Sequence, residues 1–164
     1  MRYLFIDRIL RIEANRSIVA VKNVALSEDV FTDHFPGRPI MPGALLIEAL
    51  AQAGTALIEV SHQMRYKAML IMVQNAKFRV HVRPGDQLRI EADLISVENR
   101  VGRIEGSIYV DQNLVMNGEL TFALKDADEI YLPPVRTLIE SQYKIWLAGA
   151  DMIGFGATEK PPDV

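Results

Sequence analysis

The sequence contains no cysteine, which excludes disulfide bonds, thiolate metal sites and cysteine nucleophiles. It also has no glycine-rich phosphate loop, no His-x-x-x-His metal pair and no Gly-x-Ser-x-Gly nucleophile elbow. An excess of positive charge is missing too, because the formal net charge is -3 and the pI is about 5.6. We therefore expect no nucleic-acid partner, and any chemistry has to come from histidine, carboxylates and backbone groups.

Long hydrophobic runs without polar residues are scarce as well. The most apolar stretch, residues 41–60, contains Glu48, Gln52 and Glu59, which would be costly in hydrocarbon. We interpret it as the buried helix of a soluble protein and expect no membrane span. The first residues carry charges close to their apolar cluster, unlike the apolar core of a signal peptide, so a cytoplasmic location is expected.

The length of 164 residues and the hydrophobic content of 49% suit one ordinary domain. We place this domain at residues 1–125 and treat residues 126–164 as a C-terminal extension, since Pro133-Pro134 interrupts regular structure. Within the extension, the spacing of apolar residues at 136–150 predicts a short helix. A disordered end is expected at residues 160–164. One side of this helix would present Ile139, Tyr143, Trp146, Leu147 and Ala150.

Hydrophobic patterns in the domain predict one long helix and several antiparallel strands. Residues 8–13 and 17–23 favour a β-hairpin, and residues 42–61 favour a helix that starts at a proline. Alternation of apolar and polar residues at 88–94 and 103–110 is typical of half-buried strands, and residues 114–124 can complete a meander. The fold class is therefore α+β.

A lone apolar helix needs a cover, and a curved antiparallel sheet wrapped around it supplies one. Small residues along the helix would let the sheet approach closely; they are Ala49, Ala51, Ala53, Gly54 and Ala56. A single sheet leaves an unpaired edge, which edge-to-edge pairing of two chains would remove. We expect at least a homodimer.

The densest chemical signal is a loop rich in proline and glycine immediately before the helix. It reads Asp33-His34-Phe35-Pro36-Gly37-Arg38-Pro39-Ile40-Met41-Pro42-Gly43. The loop places the imidazole of His34 near a helix N-terminus with unpaired amide groups. This combination suits a thioester substrate, because the Gly43 amide can polarise the carbonyl oxygen while His34 takes the acidified α-proton. A lone loop histidine is, however, more often structural.

Inside the helix, one face carries Glu48, Gln52, Thr55 and Glu59 at the spacing of successive turns. A carboxyl group among aliphatic residues resists ionisation, and a general acid that protonates a departing hydroxyl needs this property. Gln52 could orient the Glu48 carboxyl by a hydrogen bond. The alternative is that this face is simply the solvated side of an amphipathic helix.

Other polar residues are weaker candidates. We assign His62, near the helix end, and His81, in a probable strand, to structural roles. Four cations could attract the phosphate of a pantetheine arm or an acidic carrier, although scattered surface cations usually only aid solubility. They are Arg38, Lys77, Arg79 and Arg83.

The segment from His34 to Gly43, followed by Leu46-Ile47-Glu48-Ala49-Leu50-Ala51-Gln52, closely resembles the signature of the (3R)-hydroxyacyl-[acyl-carrier-protein] dehydratases of fatty acid synthesis. The resemblance covers roughly residues 3–125. It implies a hotdog fold and a cofactor-free lyase whose substrate is carried on the phosphopantetheine of an acyl carrier protein. It also implies active sites at a dimer interface, often in a trimer of dimers, where His34 faces the partner's helix carboxylate, Glu48. Glutamate at this position favours dehydration without double-bond migration.

Two rival functions stay open: a hotdog acyl thioesterase, in which a carboxylate directs water at the carbonyl, and a non-catalytic acyl-carrier-binding subunit. The extension resembles nothing in the family. Over the acyl tunnel it would limit chain length, and elsewhere it would only add a packing layer; we expect the packing layer.

Overall fold

A computed structural model describes residues 3–155, and the predicted disordered end at residues 160–164 lies outside them. The described chain forms one seven-stranded sheet with strand order β3-β6-β5-β4-β2-β1-β7. The strands are β1 (Arg8–Glu13), β2 (Ser17–Asn23), β3 (Tyr66–Phe78), β4 (Gln87–Glu98), β5 (Val101–Val110), β6 (Asn113–Asp126) and β7 (Asp151–Ile153). The helices are α1 (Val30–Asp33), α2 (Gly43–Ser61), α3 (Ala127–Ile130) and α4 (Pro133–Leu147).

Helix α2 lies against the concave face of the sheet, as the predicted α+β architecture requires. The side chains of Ala49, Ala53 and Ala56 are fully buried. At Gly54 a Cβ atom would lie 2.4 Å from the Ile104 side chain on β5, so glycine is needed for this close approach. Helix α2 has the length and hydropathy of a membrane-spanning segment, and over half of it is buried within this fold.

The predicted hairpin and meander are confirmed. Strands β1 and β2 have the predicted bounds, and the turn between them carries Asn15 in the left-handed region at φ 55°. Strands β4, β5 and β6 pair antiparallel in sequence, with Leu88 and Ile90 on the buried face. The turn before β4 needs a glycine, because Gly85 adopts φ +99°.

Strand β3 is the main element that the hydrophobic patterns did not predict. It pairs only with β6 and forms one edge of the sheet, where Leu70, Ile71, Met72 and Val73 are exposed. Its apolar residues form a continuous run without alternation, so periodicity alone does not distinguish it from a helix. The strand ends at Phe78, so the prediction of His81 in a strand is wrong; His81 lies in an exposed connecting segment.

The extension packs onto the domain through both a helix and a strand. Helix α4 begins at Pro133 rather than at residue 136, because prolines are tolerated in a first turn whose N–H groups have no intrahelical acceptors. It ends at Leu147 rather than at residue 150, and Gly149 follows with φ +76°. Strand β7 then pairs in parallel with β1. The edge beside β1 is therefore covered by the chain itself.

Candidate active site

The loop before α2 is held by its own backbone hydrogen bonds. Phe35 N donates to Arg38 O at 3.2 Å, and Arg38 N donates to Phe35 O at 2.9 Å. Gly37 occupies the left-handed region between them at φ +73°. Ile40 N donates to His34 O at 3.0 Å, which closes the loop on itself. The imidazole of His34 is therefore attached to a fixed frame.

The contacts of His34 determine which ring nitrogen is free. Its Nδ1 lies 2.8 Å from the carbonyl oxygen of Ile40. A carbonyl oxygen can only accept a hydrogen bond, so Nδ1 carries the proton and Nε2 of the neutral ring has a lone pair. The ring stacks on Phe35, with centroids 4.0 Å apart, and is half-buried. The orientation is that of a base whose Nε2 is available to a ligand.

Gly43 is the first residue of α2, where amide groups lack intrahelical acceptors. Among residues 3–155 its N–H has no hydrogen-bond acceptor. A Cβ atom here would lie 3.0 Å from the ring of Phe78, so glycine lets this ring pack against the helix start. Met41 N donates to Val82 O at 2.9 Å and fixes the preceding loop. The free amide N–H suits its predicted role as the hydrogen-bond donor to the carbonyl oxygen of the substrate.

Gln52 holds the Glu48 carboxylate in one orientation. The backbone N–H of Phe5 donates to Gln52 Oε1 at 2.8 Å, which determines which end of the side-chain amide is oxygen. Gln52 Nε2 therefore donates, to Glu48 Oε1 at 2.9 Å and to Tyr3 O at 3.2 Å. Among residues 3–155 no group bonds Glu48 Oε2, so this oxygen is available to a ligand. The predicted contact between the two side chains is present in the structure.

Glu48 lines a half-open cavity of about 420 Å³ along α2. The other lining residues are Tyr3, Leu4, Ala51, Gln52, Thr55, Lys67, Ala68, Met69, Leu70, Tyr131, Ile139, Gln142, Tyr143 and Trp146. Most of this surface is apolar, and its volume falls in the range of small-molecule sites. His34 is not among the lining residues, so this cavity of a single chain does not bring His34 and Glu48 together.

The extension contributes part of the cavity wall, through residues of α4 such as Ile139 and Trp146. Our expectation that the extension is only a packing layer therefore requires correction. It packs against the domain, with Tyr143, Trp146 and Leu147 buried, and it also borders the space next to Glu48.

Glu59 has an environment that the sequence pattern left ambiguous. Its side chain is 1% exposed, so this end of the polar face of α2 is not solvated. Glu59 Oε1 accepts from Ala68 N at 2.9 Å and lies 2.8 Å from Lys67 Nζ, while Oε2 accepts from the Tyr143 hydroxyl at 2.6 Å. A buried carboxylate needs such partners. Tyr143 lies 84 residues away, and no sequence motif signals this pairing.

The partners of Glu59 titrate abnormally. Burial and the adjacent Glu59 carboxylate raise the pKa of Tyr143 well above its usual value. At Lys67, burial lowers the pKa, but attraction to Glu59 outweighs this effect and raises the pKa overall. Near neutral pH the Tyr143 hydroxyl is therefore neutral and the Lys67 side chain is protonated.

The remaining candidates lie at the surface. The side chains of Arg38, Lys77, Arg79 and Arg83 are exposed. Arg79 donates to Asn117 Oδ1 at 2.6 Å, and the hydrogen bond from Met41 to Val82 places the His34 loop beside the segment with Arg83. His62 follows the last residue of α2, and its Nδ1 lies 2.8 Å from the Ile58 carbonyl oxygen, a structural contact. Among residues 3–155, no group of three His, Asp or Glu residues could hold a metal ion.

Comparison with known proteins identifies the family of the chain. The model of the FabA-like domain family matches residues 1–119. The chain belongs to this family. It is 43% identical over 126 residues to the 3-hydroxyacyl-[acyl-carrier-protein] dehydratase FabZ of Symbiobacterium thermophilum, covering 76% of this chain and 89% of the relative. Its identity to the FabZ of Pelotomaculum thermopropionicum is 44% over 124 residues, covering 75% and 89%.

Solved structures confirm the hotdog fold. The chain superimposes on a chain of the dehydratase heterocomplex ApeI:P of Xenorhabdus doucetiae with a TM-score of 0.62 and 16% identity, covering 83% of this chain and 90% of the other. It superimposes on a hot-dog-like protein of Thermanaerovibrio acidaminovorans with a TM-score of 0.60 and 14% identity, covering 77% and 90%. At these identities the similarity concerns the fold alone.

Proposed function

We propose that the protein is a 3-hydroxyacyl-[acyl-carrier-protein] dehydratase of fatty acid biosynthesis, a lyase that forms the trans-2-enoyl thioester and water. The identity to FabZ enzymes over three quarters of the chain carries this proposal. The oriented imidazole of His34 and the oriented carboxyl group of Glu48 supply the acid and base that the reaction needs.

In the proposed mechanism, His34 Nε2 removes the proton from C2 of the substrate. The C–H electron pair becomes the C2–C3 double bond, the C3–O bond breaks, and Glu48 Oε2 gives its proton to the departing hydroxyl, which leaves as water. The Gly43 N–H donates to the thioester carbonyl oxygen, which carries negative charge as C2 loses its proton. Gln52 acts as a positioning residue for Glu48. These steps balance without a cofactor.

We further propose that each active site combines His34 of one chain with Glu48 of a second chain. His34 of the same chain does not line the cavity beside Glu48. Strand β3 borders this cavity through Met69 and Leu70, and its outer edge exposes apolar side chains. Pairing of two β3 edges would cover this surface and join two active sites. The assembly is then a homodimer, and a trimer of dimers is the larger form.

The proposed substrate carrier is the acyl carrier protein, with the acyl group attached through phosphopantetheine. The names of the FabZ relatives support this carrier. The exposed cations Arg38, Lys77, Arg79 and Arg83 would attract its phosphate and acidic surface. A cytoplasmic location belongs to the same proposal.

Mass spectrometry of the purified protein with 3-hydroxyacyl and trans-2-enoyl carrier-protein thioesters tests the function. Interconversion by gain or loss of one water is the expected result. Release of the free acid would instead identify a thioesterase, and unchanged thioesters would point to a non-catalytic carrier-binding subunit. Coenzyme A thioesters, assayed in parallel, measure how much the enzyme depends on the carrier protein.

A further inference from the structure

The cavity beside Glu48 extends along α2 toward the extension. Glu48 and Glu59 lie on one helix face, eleven residues apart, which corresponds to about 16 Å along the axis. Tyr143 of α4 contacts Glu59 at the far end of this distance. The wall that α4 contributes therefore lies beyond the proposed reaction centre, in the direction that an acyl chain would follow.

Polar groups border the cavity where α2 approaches α4. Lys67 and Tyr143 line this part of the cavity, and both contact the buried Glu59 carboxylate, whose three partners lie at 2.6 to 2.9 Å. An apolar chain end that reached these groups would remove water from them without replacing their hydrogen bonds, which is unfavourable. These polar groups therefore oppose the entry of longer acyl chains, in addition to the steric barrier that α4 forms.

Helix α4 is attached to the domain through its C-terminal half and the strand that follows it. Tyr143 bonds Glu59, and the strand that follows the helix pairs with β1. Ile139 and Trp146 line the cavity from this attached helix, and Trp146 packs edge-on against Tyr143 with ring centroids 5.3 Å apart. A wall fixed in this way cannot withdraw without breaking these contacts.

We infer that α4, with Ile139 and Trp146 facing the cavity, forms the end wall of the acyl site and sets the longest acyl chain that the enzyme accepts. The family match ends at residue 119, so this wall is a property of the extension rather than of the matched domain. The inference rests on the proposed function for its substrate. Ile139 and Trp146 are specificity-determining residues in this assignment.

Opposite changes at Ile139 test the wall. Turnover is measured for the full-length protein on a ladder of 3-hydroxyacyl thioesters, from butanoyl to hexadecanoyl length. Ile139→Ala should raise the ratio of kcat/KM for the longest over the shortest chain by about tenfold, because a pocket discriminates by roughly this factor per lost methylene. Ile139→Trp should shift the ratio the other way. Leu138→Ala is the control, since Leu138 is 70% exposed on the same helix and does not line the cavity.

Trp146 is the only tryptophan of the sequence and supplies a second measurement that does not depend on turnover. Saturated acyl-pantetheines, which cannot be dehydrated, are titrated while tryptophan emission is recorded. We expect a saturable emission change that strengthens with chain length up to the preferred length and then falls. An active enzyme with unchanged length preference in both Ile139 variants, or with no emission change, overturns the inference alone. Emission changes in a protein without dehydratase activity overturn the proposed function but leave the wall intact.

Discussion

The hydroxyl of Tyr143 donates to Oε2 of the buried Glu59 at 2.6 Å and joins α4 to α2 across 84 residues of sequence. Tyr143→Phe leaves this carboxylate oxygen buried without its donor. We expect the free energy of unfolding to fall by about 1.5–3 kcal/mol, as for the loss of a hydrogen bond to a charged group. Urea denaturation measures this difference. Tyr109→Phe is the matched control, because the Tyr109 hydroxyl has no partner among residues 3–155; an equal loss in both variants would contradict the assignment.

Stability should also fall at alkaline pH because of the same cluster. The pKa values of Tyr143 and Lys67 are raised in the folded protein, so folding binds their protons more tightly. Their contribution is complete below the ordinary tyrosine value of 10.0 and is lost as pH rises through the higher folded values. Urea midpoints measured from about pH 8 to about pH 11 should decrease, and less steeply in Tyr143→Phe. Identical slopes for the two proteins would remove Tyr143 as a source of the effect.

Replacing Gln52 tests its role as a positioning residue. Gln52→Leu removes the hydrogen bonds to Glu48 and to the N-terminal segment, so Glu48 can rotate away from the substrate. We expect kcat to fall by roughly tenfold to hundredfold, with a smaller change in KM, since misplacement of a catalytic group mainly affects the chemical step. Gln112→Leu, in the exposed turn before β6, is the control. A pH–rate profile that keeps its shape in Gln52→Leu would argue against the role.

Active sites shared between two chains predict complementation between inactive variants. His34→Ala and Glu48→Gln should each lack dehydratase activity as pure proteins. In a mixed dimer one site contains both replacements and the other contains neither, so co-expression in equal amounts should restore about a quarter of the wild-type activity. Purification through two different affinity tags enriches the mixed dimer. If the mixture stays inactive although mixed dimers form, each site lies within one chain.

The exposed edge of β3 is the proposed dimer contact. Ile71→Lys places a charge on this edge, where Ile71 is 59% exposed in the single chain. We expect the molar mass in light scattering to shift from dimer to monomer and the activity to fall with it. Ile95→Lys is the matched control, because Ile95 is 51% exposed but lies on β4, inside the sheet order. A dimer that persists only in the Ile95 variant supports the assignment, and one that persists in both rejects it.

Much of the fold could be predicted from the sequence because several elements encode their own environment. The alternation in β4 and β5 identified their buried faces, and the small residues of α2 indicated the close approach that Gly54 makes to Ile104. Strand β3 could not be recognised in this way, because its apolar residues face outward at an edge rather than alternating between core and solvent.

In the candidate site, too, the features set by neighbouring residues could be predicted, and those set by distant residues could not. The position of Gly43 at the start of α2 and the contact between Gln52 and Glu48 follow from local spacing. The burial of Glu59 depends on Tyr143, which is distant in sequence, and a polar helix face looks the same whether water or another helix covers it. The role of α4 at the cavity is a tertiary property for the same reason.

The parallel pairing of β7 with β1 limits how copies of this chain can associate. The chain's own last described strand, β7, occupies that border and is only three residues long, so the long strand β3 offers the more extensive edge for sheet pairing between molecules. A two-fold contact between two β3 strands uses this edge of both molecules. Each end of such a pair is then the three-residue strand β7, and very short edge strands disfavour further strand addition, so the extension opposes fibrous polymerisation as well as bordering the cavity.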